Sequence, residues 1–408
     1  MQDPFTRFDM LAYPKRQKLR LIAWAIAYPD VWKHKAKIQK INMDGIKPPF
    51  VLLCNHNAFL DFKVTTAAIF PHRANYVVAI DGFTSPTKNG FASREWLLRT
   101  VGCICKRKFT NDAVLVRQLN RVVKNGDIAV LYPEARYALC GTNAVLPESL
   151  GKLCKLLKVP VVSLIMHGHH INSPVWGLGD RGVSPVESEL TCLFTAEELA
   201  KASADEVNCK INDAFTYDDF AWQRARGVRV YDPKRAEGLH QVLYQCPHCK
   251  TEYQMGSEGS ELFCKSCGKR WQMDELGGLS AETGETEFSH IPDWYEWERA
   301  NVRREVETGE YSFSAQVRVM SLPNAEGYVH IGDGRLTHDM NGFVVRGTGV
   351  FGDFEMVKPV PSMYSCHFEL NYLEKYGDCV DLNTLEDTWY CYPSGCDFSV
   401  VKIALATE

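Results

Sequence analysis

The chain has 408 residues, a net charge of −4, and is 45% apolar and 24% charged. At about 150 residues per domain this length predicts two or three domains, the apolar share excludes bulk disorder, and the acidic balance opposes a chain coated in nucleic acid. The 15 cysteines, mostly isolated in apolar surroundings such as Cys54, Cys103, Cys105 and Cys154, fit a reducing compartment better than a secreted disulfide framework.

The first element is an apolar stretch, Leu19–Tyr28, halted by Pro29. It is half the roughly 20 residues that a membrane crossing needs. Between Lys15 and Lys47 lie nine Lys/Arg against Asp30 and Asp44, and Trp24 and Tyr28 sit inside the stretch. Two readings fit: a helix lying in the interface of an anionic membrane, or a core helix with basic ends. The start, Met-Gln-Asp-Pro, lacks the basic and apolar regions of a signal peptide. The expected location is cytoplasmic, peripheral on the inner membrane face.

From residue 50 to about 200 short apolar runs alternate with helical periodicity. Strands are predicted at Phe50–Cys54, Tyr76–Ile80, Val101–Cys105, Ile128–Tyr132 and Val161–Met166, and helices at Asn57–Phe70, Arg94–Thr100, Asp112–Lys124 and Glu148–Lys158. Uninterrupted apolar strands between helices imply an α/β layer with a mostly parallel sheet.

Four cysteines follow in two pairs, Cys246/Cys249 and Cys264/Cys267, fourteen residues apart. Two Cys-x2-Cys knuckles with a hairpin-length spacer predict a four-thiolate zinc ribbon. Gly268 permits the tight turn after the second knuckle, and Tyr253, Phe263 and Trp271 could cover the small core. Four protein ligands leave no open position, so the Zn2+ is expected to be structural. Residues 277–290, rich in Gly, Ser, Thr and Glu, read as a linker, and Pro292–Thr308 as a charged helix. From Asp274 to Glu310 eleven Asp/Glu face three arginines, which opposes a nucleic-acid partner. From Tyr311 the period is mostly two with frequent turn signals, predicting a small all-β unit, with Asp397–Thr407 a closing helix and a faint likeness to a pleckstrin-homology barrel. The expected domains are 1–235, 236–275, 276–310 and 311–408.

The chemistry concentrates in Asn55-His56-Asn57-Ala58-Phe59-Leu60-Asp61. Five helical steps turn by roughly 500°, which leaves Asp61 about 140° from His56, so the two meet only if the chain turns between them. A carboxylate so placed would orient the imidazole and stabilise its protonated form. A single His-x4-Asp pair arises about once by chance in a chain with this many histidines. The second element, Tyr132-Pro133-Glu134-Ala135-Arg136, raises the signal because it also follows an apolar strand. Lys106-Arg107-Lys108 follows a third. A base, a cationic cluster and a Glu/Arg pair are therefore expected at one rim of the sheet. His167-Gly168-His169-His170 ends another strand; with no carboxylate within nine residues it reads as loop histidines near the site rather than a metal site.

The order His-x4-Asp, Gly-x-Ile with a following Arg, aromatic-Pro-Glu, and Val159-Pro160-Val161 resembles the glycerolipid acyltransferase superfamily, whose best-known members are the 1-acylglycerol-3-phosphate acyltransferases. The resemblance covers about residues 20–200. It implies that His56, partnered by Asp61, takes the proton of a lysophospholipid hydroxyl, which attacks an acyl thioester of coenzyme A (acyl-CoA) or acyl-carrier protein. It implies that Arg107, with Lys106 and Lys108 beside it, contacts the acceptor phosphate, and that Glu134 and Arg136 help bind the acceptor. Backbone amides after His56 are the expected oxyanion donors. The family usually reads Phe-Pro-Glu-Gly-Thr-Arg; here Tyr132 replaces Phe, Ala135 replaces Gly, Arg136 stands one position early and Tyr137 fills the usual Arg slot. That altered motif supports an alternative, a nonenzymatic lipid- or protein-binding adaptor on a degenerate acyltransferase fold.

Overall fold

The structure is a computed structural model describing residues 5–408 except residues 7, 85–93, 178 and 374. Its N-terminal part is built on seven strands: β1 (Lys37–Ile41), β2 (Val51–Cys54), β3 (Ala74–Ala79), β4 (Ile104–Lys106), β5 (Ile128–Leu131), β6 (Val161–His167) and β7 (Glu187–Phe194). Their order is β1-β7-β6-β2-β5-β3-β4. Every pairing is parallel except β6 with β7. Side chains alternate across the sheet: Val51 and Leu53 enter one core, Leu52 and Cys54 the other. Burial on both faces is why β2 and β5 read as unbroken apolar runs.

The expected strands and helices of residues 50–166 form within a few residues of their predicted limits. The Ala113–Lys124 helix is capped by Asp112, whose side chain accepts from the Val114 and Leu115 amides. The sequence gives no sign of β1, because an edge strand of sequence Lys-Ile-Gln-Lys-Ile looks like a solvated charge run.

Two expectations about the N-terminal helix change. It runs from Arg20 to Lys33, straight through Pro29, so the proline removes one N–H without ending the helix. Only Ala27 of this helix is buried, while Leu21, Ile22, Ile26 and Trp32 are exposed, so it is not a core helix. Trp24 against Phe70 and Lys63 paired with Asp30 seat it on the Leu60–Ile69 helix.

Residues 255–281 carry an antiparallel sheet of β8 (Met255–Glu258), β9 (Glu261–Cys264), β10 (Arg270–Met273) and β11 (Leu279–Ala281). The stretch expected as a linker therefore begins as a paired strand. It is pinned further where Glu287 accepts from Lys269 and from the Trp271 indole. The Ile291–Glu307 helix follows, with Trp294 fully buried edge-on against Trp271 at 5.0 Å. The C-terminal sheet is antiparallel throughout, in the order β15-β14-β13-β12-β18-β17-β16. Its strands are β12 (Phe313–Ser321), β13 (Val329–Asp339), β14 (Gly342–Gly349), β15 (Gly352–Pro359), β16 (His367–Glu369), β17 (Cys379–Asn383) and β18 (Thr388–Ser394), and the Val400–Thr407 helix closes it. One hydrophobic cluster runs from Leu52 and Val130 through Trp271 and Trp294 to Val319 and Leu382.

Arg107 joins the first and last sheets. It follows β4, the edge strand three places from β2, roughly 14 Å away at the usual strand spacing. Its guanidinium is buried and donates from Nη1 to Leu322 O (2.9 Å) and Thr388 Oγ1 (2.7 Å), and from Nη2 to Pro323 O (2.8 Å) and Glu386 O (2.9 Å). The expected phosphate contact is thereby corrected, since these donors face the C-terminal sheet. Arg107→Ala would strand four acceptors and should destabilise the chain by about 3 kcal/mol in urea unfolding. A change within about 0.5 kcal/mol, the span of ordinary surface substitutions, would refute the joint.

Candidate functional site

Three adjacent parallel strands, β6, β2 and β5, end side by side. Their exits carry His169, His56 and the Tyr132–Tyr137 turn. The chain turns after β2 as the spacing requires, and the Leu60–Ile69 helix brings Asp61 back to His56. His56 Nδ1 lies 3.0 Å from Asp61 Oδ2. That oxygen also accepts from the Asn57 amide (2.5 Å) and the Ala58 amide (3.0 Å), while Oδ1 is 2.6 Å from His169 Nδ1. Asp61 is fully buried. Burial pushes its carboxyl up, but the hydrogen bonds from His169 and His56 outweigh this and hold it below the usual carboxylate range. The amides of Asn57 and Ala58 are thus occupied by Asp61 and are not the oxyanion donors expected from the sequence.

Surrounding groups lock this turn. The Asn55 carboxamide accepts from Met166 N (2.8 Å) and donates to Met166 O (3.0 Å), tying the exit of β2 to β6. The Asn57 side chain accepts from the Tyr217 hydroxyl at 2.9 Å. The His56 peptide donates from N to Glu134 Oε1 (3.2 Å) and accepts at O from Ala138 N (2.8 Å). Glu134 Oε2 accepts from Ala144 N at 3.0 Å. Burial pushes the Glu134 carboxyl up to about 8 against the pull of those two amides. Glu134 is 1% exposed and does not line the groove. Its expected role in acceptor binding gives way to holding the His56 backbone.

The His56 ring lies between Tyr132 (centroids 4.5 Å) and Tyr137 (4.4 Å). Both tyrosines occupy positions where the motif departs from the family pattern. Ala135, at the usual glycine position, has φ 56°, the left-handed region that favours glycine.

His56 opens onto a groove of about 1960 Å³ between the N-terminal sheet and the C-terminal unit. That is about twice the upper end of ordinary small-molecule pockets. Its lining includes the apolar side chains Leu115, Val116, Leu146, Leu153 and Leu156. It is also lined by polar groups, and there the C-terminal unit has brought carboxylates to the expected cations. Lys108 lies 3.1 Å from Asp81, 3.6 Å from Glu369 and 3.9 Å from Asp381. Burial pulls its pKa down, but those carboxylates outweigh this and keep it charged. Arg136 pairs with Glu408, which also holds Arg299. Lys106 lines the groove and donates to Thr110 O at 2.8 Å.

The sequence places the His167–His170 turn near the site, but neither the pairing of His169 with Asp61 nor the hold of Asp219 on that turn is visible in it. The carboxylate that His169 meets is 108 residues away in the chain, so a search within nine residues misses it. Asp219 accepts from Gly168 N (3.1 Å) and His170 N (3.2 Å), fixing the histidine turn.

Outside the lining of this groove, Cys246, Cys249, Cys264 and Cys267 converge with their sulfurs within 4.8 Å of one another, the group among the described residues that could hold a metal ion. Cys246–Cys267 is 3.9 Å and Cys249–Cys264 is 3.7 Å. Tetrahedral thiolates at 2.3 Å from a metal stand about 3.8 Å apart, whereas a disulfide needs about 2.05 Å. Each knuckle closes the same way: Lys250 N donates to Cys246 O and Gly268 N to Cys264 O, with φ 65° at Lys250 and 76° at Gly268.

No protein-family profile and no curated protein matches the chain. Among solved structures it is similar to the 1-acyl-sn-glycerophosphate (LPA) acyltransferase PlsC from Thermotoga maritima, at 12% identity and a TM-score of 0.40, over 51% of this chain and 80% of that one. The functional reading rests on the residues of the site, not on this likeness.

Ala135→Gly should relieve the left-handed strain, less the extra chain entropy of glycine, and stabilise the protein by about 0.5–1 kcal/mol. A lower unfolding temperature in the glycine variant would refute strain at this turn.

Proposed function

We propose that the protein is an O-acyltransferase that moves a fatty acyl group from a thioester, acyl-CoA or acyl-carrier protein, to a hydroxyl of a lysophospholipid-like acceptor. The observation that carries this is the His56–Asp61 hydrogen bond on the wall of a groove of about 1960 Å³. Asp61 engages Nδ1, which leaves Nε2 as the nitrogen available to substrate. Nε2 takes the hydroxyl proton as the oxygen attacks the thioester carbon. The C–S bond then breaks, and the thiolate leaves with the proton returned by the imidazolium. Asp61, ionised across the neutral range, stabilises that imidazolium. No Ser or Cys nucleophile is needed. The apolar lining residues Leu115, Val116, Leu146, Leu153 and Leu156 suit an acyl chain.

The N-terminal helix supports action at a membrane surface. It presents Leu21, Ile22, Ile26 and Trp32 to solvent, flanked by Lys15 and Lys18, which fits an anionic lipid interface. Among the described residues no helix is long and apolar enough to cross a membrane. The seven antiparallel strands and closing helix of the C-terminal unit support the pleckstrin-homology-like reading of that part. The four-cysteine group would hold a structural Zn2+, whose tetrahedral preference matches the sulfur separations.

One set of observations favours the adaptor alternative: Arg107 is built into the interdomain joint, and Lys108 and Arg136 are paired with carboxylates. Turnover separates the two readings. Acyl-CoA with a panel of lysolipids on anionic vesicles should give thiol release and a diacyl product. His56→Ala should abolish it, and Asp61→Asn should lower kcat about 10⁴-fold through the wrong tautomer. An active His56→Ala variant removes the assigned base, and a wild type inert with every acceptor favours the adaptor.

The metal is checked separately. Elemental analysis should find one zinc per chain, and Cys264→Ser should lose it together with a large part of the roughly 10–16 kcal/mol that a zinc site of this kind supplies to folding. Zinc-free protein with an unchanged unfolding temperature would exclude a structural metal.

A further inference from the structure

His169 and His56 share one carboxylate but differ in surroundings. His56 is 26% exposed by side chain and faces the groove, whereas His169 is fully buried, with Nδ1 2.6 Å from Asp61 Oδ1. We propose that His169 is a positioning residue for the catalytic pair, donating from Nδ1 to Asp61 Oδ1 and thereby holding the carboxylate with Oδ2 aimed at His56. The proposal rests on the acyltransferase reading of His56 and adds to it a residue outside the His-x4-Asp motif.

The argument begins with Asp61. A buried carboxylate needs donors on both oxygens. Oδ2 takes three, from His56 and two amides, all within its own turn. Oδ1 takes His169, from a different strand exit. Without it, a charged oxygen stands buried and unpaired, and rotation of the carboxylate would compete with the His56 bond. His169 Nε2 is buried and has no partner. An imidazolium would bury an N–H there without an acceptor, so the fitting form is the neutral Nδ1–H tautomer. A neutral donor leaves the negative charge of Asp61 available to the imidazolium that forms on His56; a second cation would cancel it.

The backbone that carries His169 is itself held. Asp219 accepts from the amides on either side of His169, those of Gly168 and His170. Gly168 has φ 85°, and a Cβ there would lie 2.9 Å from the Trp222 ring. The turn therefore has little freedom to present another group to Asp61.

The test uses His169→Leu, which removes the donor, and His169→Asn, whose amide nitrogen stands in for Nδ1 and keeps it. The first readout needs no turnover. Proton NMR of the full chain should show downfield Nδ1–H signals for His56 and His169. In His169→Leu the His56 signal should shift upfield or vanish by exchange, and in His169→Asn it should persist. The second readout is kinetic: His169→Leu should lower kcat about 10–100-fold, the usual effect of removing an orienting partner, with KM within about twofold. His169→Asn should recover most of that loss. If His169→Leu does not fold, His169→Gln takes its place, because its amide reaches the Nε2 position and leaves Asp61 Oδ1 unpaired.

A folded His169→Leu or His169→Gln with an unmoved His56 signal overturns the proposal, as does a kcat loss that His169→Asn fails to restore. An NMR response as expected in a protein that acylates nothing supports the positioning and overturns the acyltransferase reading instead.

Discussion

The structure depends on one buried carboxylate. Asp61 is fully removed from water and remains charged because four donors converge on it, two of them backbone amides and two imidazoles. Each donor comes from a position the fold must hold. The amides belong to the turn after β2, His56 opens that turn, and His169 arrives from β6. Burial of an unpaired charge would be prohibitive, so correct closure of the turn and formation of the His–Asp pair are the same event. The Leu60–Ile69 helix has no side-chain cap of its own. Asp61, in its first turn, instead bonds back to the Asn57 and Ala58 amides that precede the helix and so ties the turn to it.

The C-terminal sheet changes the charged lining of the groove. Arg107, Lys108 and Arg136 all come from the loops of the first sheet, as the motif order implies. Each then meets an acceptor from the last third of the chain: the carbonyls of Leu322, Pro323 and Glu386, the carboxylates of Glu369 and Asp381, and Glu408. A cationic rim in the isolated first domain becomes a set of buried or paired charges in the whole chain. A ligand reaching His56 would therefore meet lining groups of mixed charge and two tyrosines beside the imidazole, rather than an open basic patch.

The units are also continuous through their cores. Trp271 of the four-cysteine module packs on Trp294, the Ile291–Glu307 helix carries Glu298 whose carboxylate accepts from Gln245 N just before Cys246, and Arg299 reaches Glu408. The four-cysteine module is thus anchored at its knuckle to the helix that also holds Glu408.

The sequence by itself determined the α/β layer, because buried parallel strands must be apolar on both faces and leave an unmistakable alternation with helices. It determined the two Cys-x2-Cys knuckles, whose spacing is local, and His56 and Asp61, whose meeting needs only one turn of chain. Tertiary structure alone decided what long-range contacts set. His169 reaches Asp61 across 108 residues, Glu134 turns inward to the His56 amide instead of toward substrate, and Arg107 is drawn into a joint with residues more than two hundred positions away. The linker became a strand because β10 offered an open edge, and the helix passed through Pro29 because a single missing N–H does not outweigh its seat on a neighbouring helix. Local spacing dictates which groups lie close along the chain; only packing dictates which of their polar atoms remain free.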